Sequence, residues 1–413
     1  MDHSLFVQKM LIIIYFVAAS SALEPREYKV TNLTQFGLTD ETYAGFMPVK
    51  LNDNSFGSFF FWLVKKRGER TEDIPLVIWL NGGPGCSSMV GMMFENGPFY
   101  IESANGNTSY NLVSNPNSWN EIADILYIEQ PLTTGFSIQA AGSKQIRDEA
   151  EIAHDFHNWY LSFLTIFREY QESALYIAGE SYAGAYIPWI AEHIVKYQLK
   201  NPSDFRINLR GVAIGNGVID LFMQTKSYAE YSYYHGLIPW GVKLRANDML
   251  ALCEQKALGD IKHPHGYLSD CNIFSFVLAA AGQPNQYNTG TFKPYTNIIG
   301  NTSTFAYFMN DPIVQEAIHV RGYNIPGINF DASPIPNDDG AGTPFYADDR
   351  GKDPHNGDDV RSADDDADDT FYGPMDDDGG LRDDDYQTIA QVTAKRQLYS
   401  SGESRNYFEP SHW

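Results

Sequence analysis

The stretch that decides the fold is "YIAGESYAGAYIP", which runs from Tyr176 to Pro188. An apolar run up to Gly179 is followed by a serine and then by a helical pattern, which predicts a strand, a sharp turn and a helix. Such a turn holds a serine out of the sheet, where its hydroxyl can reach a carbonyl. Small residues must flank the turn because strand and helix approach closely, and Gly179 and Ala183 meet that requirement. Ser181 is therefore a candidate nucleophile, and the backbone amide of Tyr182 is a candidate oxyanion donor. An ordinary strand–serine–helix junction is the alternative.

Similar apolar runs lie on either side of this stretch. "PLVIWL" (75–80), "ADILYIEQP" (123–131) and "INLRGVAIGNG" (207–217) are three further predicted strands. The segment 148–167 places five large apolar residues at helical spacing: Ile152, Phe156, Trp159, Phe163 and Ile166. Strands that end at glycine turns and alternate with helices predict an α/β fold with a mostly parallel sheet and a site at its carboxyl edge.

The first residues have the composition of a targeting segment. Residues 10–19 are apolar, Lys9 precedes them and small residues follow at 20–22, so we expect a signal peptide over 1–22. The run is too short for a transmembrane anchor, which needs about 20 apolar residues. Export gives meaning to three glycosylation sequons, at Asn32, Asn107 and Asn301.

The chain has three cysteines, too few for a small disulfide scaffold, so a core must supply most of the stability. Cys253 and Cys271 are close in sequence and are the expected disulfide pair, which leaves Cys86 as the odd thiol.

The net charge of −23 is concentrated in one segment. Residues 331–386 contain 19 Asp, no Glu and four basic residues, a net charge of −15, so the remainder carries −8. A nucleic-acid partner is therefore not expected. This composition predicts a disordered or loop segment. A calcium site is one alternative, but no stretch has the spaced Asp residues and the closing Glu of a calcium-binding loop. An error in the sequence is a second alternative. No metal site and no cofactor are expected.

Periodicity divides the rest of the chain. Residues 23–225 form the first part of the predicted α/β core, and 226–310, where periodicity weakens, form an inserted cap subdomain. Residues 311–330 return to the core through a helix with Asp311 as its N-cap and Pro312 at its first position. Residues 387–413 are expected to be an incomplete C-terminal part of the core that supplies one strand.

Four segments together resemble the serine carboxypeptidase family. They are "WLNGGPGCSS", "NPNSWNEIADILYIEQPLTTGFS", "GESYAGAYIP" and "LRGVAIGNG", and the resemblance extends from about Tyr28 to Val320. It implies the α/β-hydrolase fold, with helices on both faces of the sheet and an inserted cap, and a secreted, vacuolar or lysosomal enzyme. By position it implies a nucleophile at Ser181, oxyanion donors at Gly83 and Tyr182, and a group that binds the substrate carboxylate: Trp79, Asn81, Gly82, Glu95 and Glu180.

The family resemblance also implies an Asp and a His that would complete a catalytic triad with Ser181. The matching positions of this sequence hold neither. Arg405 occupies the position of the Asp, and the chain stops at Trp413 before the segment that would hold the His, so the C-terminal strand and helix are expected to be missing. The other histidines are poor substitutes: His193 and His319 are expected within helices, His235 in a structural motif, His263 and His265 in the cap, and His412 near the end. Without a base, a serine hydroxyl is a weak nucleophile.

The sequence therefore predicts a serine-type carboxypeptidase that releases C-terminal residues from peptides and proteins through an acyl-enzyme on Ser181. The activity of the chain as written is doubtful, and it is expected to be an incomplete or misassembled member of the family. The alternatives are a secreted, non-catalytic homologue that binds peptide C-termini and an acyltransferase-type relative. The expected partner is a peptide or protein with a free C-terminus, with no membrane association after signal removal.

Overall fold

A mostly parallel central sheet organises the chain in the computed structural model, which describes residues 24–51, 55–70, 73–104, 109–139, 146, 148–259, 272–285, 287–292 and 302–321. The strands are β1 (Thr42–Lys50), β2 (Phe56–Val64), β3 (Leu76–Leu80), β4 (Phe99–Ala104), β5 (Ser109–Ser114), β6 (Asp124–Ile128), β7 (Ile138–Gln139), β8 (Leu175–Glu180) and β9 (Leu209–Gly215). The helices are α1 (Met89–Phe94), α2 (Glu149–Ile166), α3 (Ala183–Lys200), α4 (Leu221–Thr225), α5 (Ser227–Tyr234), α6 (Trp240–Gly259), α7 (Ile273–Ala280), α8 (Thr302–Met309) and α9 (Pro312–Ala317).

The order of the strands brings the ends of the predicted strands to one edge. Within the described residues the sheet runs β1-β2-β6-β3-β8-β9, and β7 pairs with β2. β1 and β2 are antiparallel to their neighbours, whereas β6, β3, β8 and β9 are parallel to one another. The residues that follow β3, β6 and β8 therefore meet at the carboxyl edge, as the sequence predicted.

Both faces of the sheet are covered by apolar side chains. On one face, α2 and α3 pack against the sheet in a cluster that includes Phe61, Trp159 and Ile187. On the other face, α1, α8, α9 and the β4–β5 hairpin share a second cluster that includes Trp62, Phe99 and Phe308. The arrangement of helices on both faces of a mostly parallel sheet is confirmed.

Most of the predicted elements are present with similar bounds. The five apolar residues predicted to lie on one helical face, at 152, 156, 159, 163 and 166, are all buried on α2. Asp311 is the N-cap of α9, since its carboxylate accepts a hydrogen bond from the Ile313 N–H at 2.7 Å. His319 is an exception: it was expected within this helix but lies two residues beyond Ala317, with a φ of 62°.

The region predicted as a cap contains helices rather than loops alone. Helices α5, α6 and α7 share a small apolar cluster of their own, with Ala229, Ile238, Ala246, Ile273 and Val277 at its centre. Helix α8, by contrast, contributes Phe305, Phe308 and Met309 to the core beside the hairpin. The domain boundaries at 225 and 310 stay predictions.

Several predictions fall partly outside the described residues. The signal segment 1–22, the sequons at Asn107 and Asn301, Cys271, His263, His265, the Asp-rich segment 331–386 and the segment 387–413 lie there. Asn32 is described and exposed. Cys86 is a free cysteine. None of the helices in the described ranges has the length and apolar character needed to span a membrane.

Candidate active site

Ser181 lies at a strained turn between β8 and α3. Its φ is 57°, a left-handed conformation that side-chain-bearing residues rarely adopt. The turn is fixed on both sides: the Ser181 N–H donates to the Gly215 carbonyl at 3.1 Å, and the Ser181 carbonyl accepts from the N–H groups of Gly184 at 3.0 Å and Val218 at 2.8 Å. These bonds explain how the strain is maintained. The side chain of Ser181 is half-buried at this turn.

The close approach predicted around the turn is present. A Cβ added at Gly179 would lie 2.8 Å from the Cβ of Ala183, and one added at Gly184 would lie 2.7 Å from the N and O atoms of Val218. Gly82, which follows β3, packs even closer to the turn. A Cβ there would lie 2.8 Å from the Cβ of Ser181 and nearer still to the Tyr182 nitrogen. The structure therefore places Gly82, Ser181 and Tyr182 in direct contact.

The loop Gly82–Ser88 carries Gly83, the second candidate oxyanion donor. Gly83 has a φ of 105°, which favours glycine. Two side chains attach the loop to the rest of the domain: the Tyr186 hydroxyl accepts from the Gly85 N–H at 3.2 Å, and the Ser88 hydroxyl accepts from the Asn81 N–H at 3.2 Å. Sequence reasoning missed both contacts, although Tyr186 lies on the first turns of α3, the helix that follows Ser181.

A pair of carboxyl groups lies beside the nucleophile. Glu180 immediately precedes Ser181, and Glu95 follows α1. The Asn81 amide nitrogen donates to Glu180 at 3.0 Å and lies 3.4 Å from Glu95. Asn81 is held in this orientation because its Oδ1 accepts from Trp79 Nε1 at 2.8 Å and from the Gly91 N–H at 3.0 Å. The structure thus brings together four of the five residues predicted to bind a carboxylate, and Gly82 adjoins them.

The surroundings of this pair favour its protonated form. Burial and the neighbouring carboxylate of Glu180 raise the pKa of Glu95 well above its usual range. Burial likewise raises the pKa of Glu180. Two carboxyl groups in one pocket share protons because two adjacent negative charges repel each other. Protonated carboxyl groups can donate hydrogen bonds, so below neutral pH the pair is suited to binding an anion.

A further buried glutamate contacts the residue that follows Ser181. The Tyr182 hydroxyl donates to Glu149 Oε1 at 2.7 Å, and Glu149 is the first residue of α2. Sequence reasoning missed Glu149 because it lies 33 residues from its partner. Its acidic neighbours Asp148 and Glu151 give it no distinguishing signal in the sequence.

The described histidines contact groups other than Ser181. His235 lies 2.8 Å from the Tyr231 carbonyl, and His319 lies 2.9 Å from the Ala44 carbonyl. The remaining three form an aromatic group between α2 and α3, which comprises His154, His157 and His193. None of these five histidines hydrogen-bonds to Ser181 in the part of the chain that the structure describes.

The strained φ at position 181 leads to a prediction about stability. The free energy of unfolding of Ser181→Gly is expected to be about 0.5–1 kcal/mol higher than that of Ser181→Ala, because glycine tolerates a left-handed backbone and alanine does not. Urea unfolding of the two variants measures the difference. Ala251 is the control, since it is exposed in the regular helix α6. Ala251→Gly should lower the free energy of unfolding by about 1 kcal/mol. If glycine were less stable than alanine by the same amount at position 181 as at position 251, the backbone at Ser181 would not be strained.

Comparison with known proteins agrees with this geometry. The sequence matches the serine carboxypeptidase family over residues 32–333. A serine carboxypeptidase-like protein of Oryza sativa subsp. japonica is 36% identical over 252 residues, which cover 60% of this chain and 57% of the rice protein. The probable serine carboxypeptidase CPVL of Mus musculus is 32% identical over 296 residues, which cover 70% and 59%. The chain therefore spans less than two thirds of the length of these relatives.

A solved structure shows the same fold. The crystal structure of Kex1Δp, a prohormone-processing carboxypeptidase from Saccharomyces cerevisiae, superposes with a TM-score of 0.64 at 27% identity, covering 72% of this chain and 69% of that protein. The central sheet of this chain is thus that of an α/β hydrolase. The family match covers well over half of the sequence and includes every residue of the candidate site. The chain belongs to the serine carboxypeptidase family.

Proposed function

We propose that this protein releases C-terminal residues from peptides through an acyl-enzyme on Ser181. The observation that carries the proposal is the pair Glu95 and Glu180, held by Asn81 directly beside a serine on a strained turn. A nucleophile alone would be compatible with many hydrolases. A pocket of protonated carboxyl groups next to it adds a binding site for a free carboxylate, which is the feature that distinguishes the end of a peptide from its interior.

The roles of the residues follow from their positions. The protonated pair would donate hydrogen bonds to the terminal carboxylate and so place the last peptide bond near Ser181. Attack by the hydroxyl oxygen forms a tetrahedral intermediate, whose oxyanion would be bound by the N–H groups of Gly83 and Tyr182. Its collapse breaks the C–N bond, and the nitrogen of the terminal amino acid leaves with the proton that came from the Ser181 hydroxyl. The ester that remains on Ser181 is then hydrolysed by water. A base must accept the hydroxyl proton, and it would come from outside the described residues.

The carboxylate pocket leads to a pH-dependent prediction. A peptide with a free C-terminus should bind at least about tenfold more tightly than its C-terminal amide at about pH 5, because each hydrogen bond to a charged group contributes roughly 1.5–3 kcal/mol. The preference should disappear as the pH rises through the raised pKa of the pair, since ionised carboxylates repel the ligand. Isothermal titration calorimetry at about pH 5 and pH 9 measures both affinities, with the Ser181→Ala protein used to prevent turnover.

The control for this measurement is a neutral pair. In the double variant Glu95→Gln, Glu180→Gln the side chains keep N–H donors but cannot ionise. It should prefer the free acid at both pH values. Equal affinity of the Ser181→Ala protein for acid and amide at pH 5 would overturn the assignment of the pocket.

A second candidate function is binding without cleavage. It is favoured by the observation that the described histidines contact groups other than Ser181 and by Arg405 at the position where the family resemblance implies an Asp. Release of the terminal amino acid from a blocked dipeptide separates the two functions. Release that is lost in Ser181→Ala supports the peptidase. Selective binding of the free acid with equal background release by both proteins supports the non-catalytic binder.

We also propose that the protein enters the secretory pathway and functions outside the cell or in a lysosome or vacuole. The composition of residues 1–22 supports this proposal, as does the exposed sequon at Asn32. An acidic compartment would suit the carboxyl pair, whose protonated form is favoured below neutral pH. Mass spectrometry of the protein secreted from a eukaryotic host tests cleavage near Leu23 and glycan occupancy at Asn32.

A further inference from the structure

A fully buried carboxyl group follows β6 and has no part in the chemistry described above. Glu129 is 0% exposed and lies at the carboxyl edge of the sheet. One carboxyl oxygen hydrogen-bonds to the Ser87 hydroxyl, and the other accepts from the Phe136 N–H. Gly135 lies directly against this carboxyl group with a φ of 52°, so that only glycine fits there without displacing it. The backbone and a side chain thus enclose Glu129 on two sides.

Ser87 connects this carboxyl group to the candidate oxyanion hole. Ser87 belongs to the loop Gly82–Ser88, which carries Gly83, and its hydroxyl also accepts from the Met89 N–H at 3.2 Å. Ser87 is 2% exposed, so its hydroxyl depends on protein partners rather than solvent. Glu129 is therefore attached through one hydrogen bond to the loop that contacts Ser181, and through β6 to the centre of the sheet.

No charged group in the described part of the chain compensates Glu129. From the loop before α1, Ser87 faces it, and from the segment after β6, Gly135 and the Phe136 N–H face it; all of these are neutral. Among the described residues no cation and no second carboxylate shifts its titration, and burial raises its pKa to about 7. A buried carboxylate without a cation is costly, and the hydrogen bonds that the Ser87 hydroxyl and the Phe136 N–H donate to Glu129 offset only part of that cost.

We propose that Glu129 is a positioning residue that holds the loop Gly82–Ser88 in place through Ser87, and that it holds the loop most firmly when its carboxyl group is protonated. The inference rests on the proposed function, in which the Gly83 N–H of this loop binds the oxyanion. It adds a second acid-dependent element to the site, separate from the pair that binds the substrate carboxylate. The oxyanion hole would then be most rigid under the same acidic conditions that favour substrate binding.

The sign of the pH dependence follows from the raised pKa. Because the folded-state pKa of Glu129 lies above the unfolded value, its contribution to closing the loop is fully present below about pH 4.5 and is lost as the pH rises towards 7. Opening exposes the carboxyl group and allows it to ionise. The population of the open loop is therefore expected to rise by up to about tenfold for each pH unit in this window.

Amide hydrogen exchange of the loop tests the inference without any substrate. The probes are three amides that are hydrogen-bonded within or beside the loop: Gly85, Cys86 and Met89. After correction for intrinsic exchange rates, their protection in the wild-type protein should fall at least about tenfold between pH 5 and pH 7. Glu129→Gln, which cannot ionise, should keep the pH 5 protection at both pH values. Glu129→Ala should have low protection at both.

The control is a comparable buried serine elsewhere. Ser118 is 3% exposed, and its hydroxyl donates to the Asn96 carbonyl on a different loop. Ser118→Ala should leave the exchange of Gly85, Cys86 and Met89 unchanged, whereas Ser87→Ala should accelerate it at both pH values. If an alanine variant does not fold, the wild-type and Glu129→Gln pH profiles still decide the question.

Two outcomes would overturn the inference. One is corrected protection of the three amides that does not change between pH 5 and pH 7 in the wild-type protein. The other is a pH profile of Glu129→Gln that matches the wild type. Both results are independent of peptide binding or cleavage, so the loop mechanism can be correct even if the proposed function is wrong, and the reverse also holds.

Discussion

The variant Gly82→Ala is expected to lose at least about 3 kcal/mol of its free energy of unfolding, or to fail to fold. An added Cβ would lie 2.8 Å from both the Glu180 carbonyl oxygen and the Cβ of Ser181, and closer still to the Tyr182 nitrogen. Two of these three atoms belong to the backbone, which cannot move away by changing a rotamer. The turn is already strained and is held by three hydrogen bonds, so displacement would disrupt it. Urea unfolding followed by circular dichroism measures the loss.

Gly241 provides the matched control. It lies at the start of α6, and a Cβ added there has no atom within 4 Å. Gly241→Ala is therefore expected to raise the free energy of unfolding by about 0.5–1 kcal/mol, since alanine is the better helix former. If the two alanine variants had the same stability, the packing of Gly82 against the turn would be wrong.

The strand–turn–helix unit at Ser181 could be predicted from sequence because its determinants are local. A strand, a turn and a helix lie within thirteen residues, and the steric demand for small residues is visible at Gly179 and Ala183. The helical face of α2 could be predicted for the same reason, since a period of 3.6 residues is a property of one segment. Burial of all five predicted residues confirms that this pattern was sufficient.

The contacts between distant segments could not be predicted from pattern alone. Glu95 was assigned only through the family resemblance, because its contact with Glu180 depends on how α1 is placed after β3. The contact between Ser87 and Glu129 was missed altogether. It requires that β3 and β6 be neighbours and parallel, which is a result of the assembled sheet. A glutamate at the end of a buried apolar run was the signal, and it could not identify its partner.

Other differences have local physical causes. The β4–β5 hairpin was not predicted, although it forms a separate two-stranded sheet beside the core. Its strands alternate polar and apolar residues only weakly, with Tyr100 half-buried between Phe99 and Ile101. His319 was placed in a helix that ends at Ala317, because the local helical pattern does not show where the backbone turns left-handed.

The variant Asp124→Asn is expected to destabilise the protein by about 3–5 kcal/mol, because it removes the charge from a buried ion-pair network. Asp124 has no exposed side-chain surface and begins β6 at the centre of the sheet. Arg70 donates two hydrogen bonds to its two oxygens at 2.8 Å each, the Tyr170 hydroxyl donates at 2.6 Å, and the Lys66 N–H donates at 2.5 Å. Asparagine replaces one of the two carboxylate oxygens, which accept these hydrogen bonds, with an NH₂ group, which can only donate. At least one buried donor would then have no acceptor.

The pH dependence of this loss distinguishes the network from a simple packing defect. Burial alone would raise the pKa of Asp124, but the hydrogen bonds from Arg70, Tyr170 and the Lys66 N–H outweigh it and hold the pKa below its ordinary value. The stability that the carboxylate contributes is therefore present above about pH 4 and is lost as the pH falls through the lowered pKa. The wild-type protein and Asp124→Asn should differ most near neutral pH and converge in acid. Chemical denaturation between about pH 3 and pH 7 measures both curves.

A surface ion pair supplies the comparison for this network. Lys196 and Glu192 lie one turn apart on α3 with their charged atoms 2.9 Å apart, and both side chains are more than half exposed. Lys196→Ala should cost less than about 0.5 kcal/mol, because solvent screens an exposed pair. A loss at Asp124 as small as that at Lys196, or one that grows as the solution becomes acidic, would show that the ionised carboxylate does not stabilise the sheet. A large loss confined to neutral pH would show that the ionised carboxylate of Asp124 holds the first residue of β6 in the sheet.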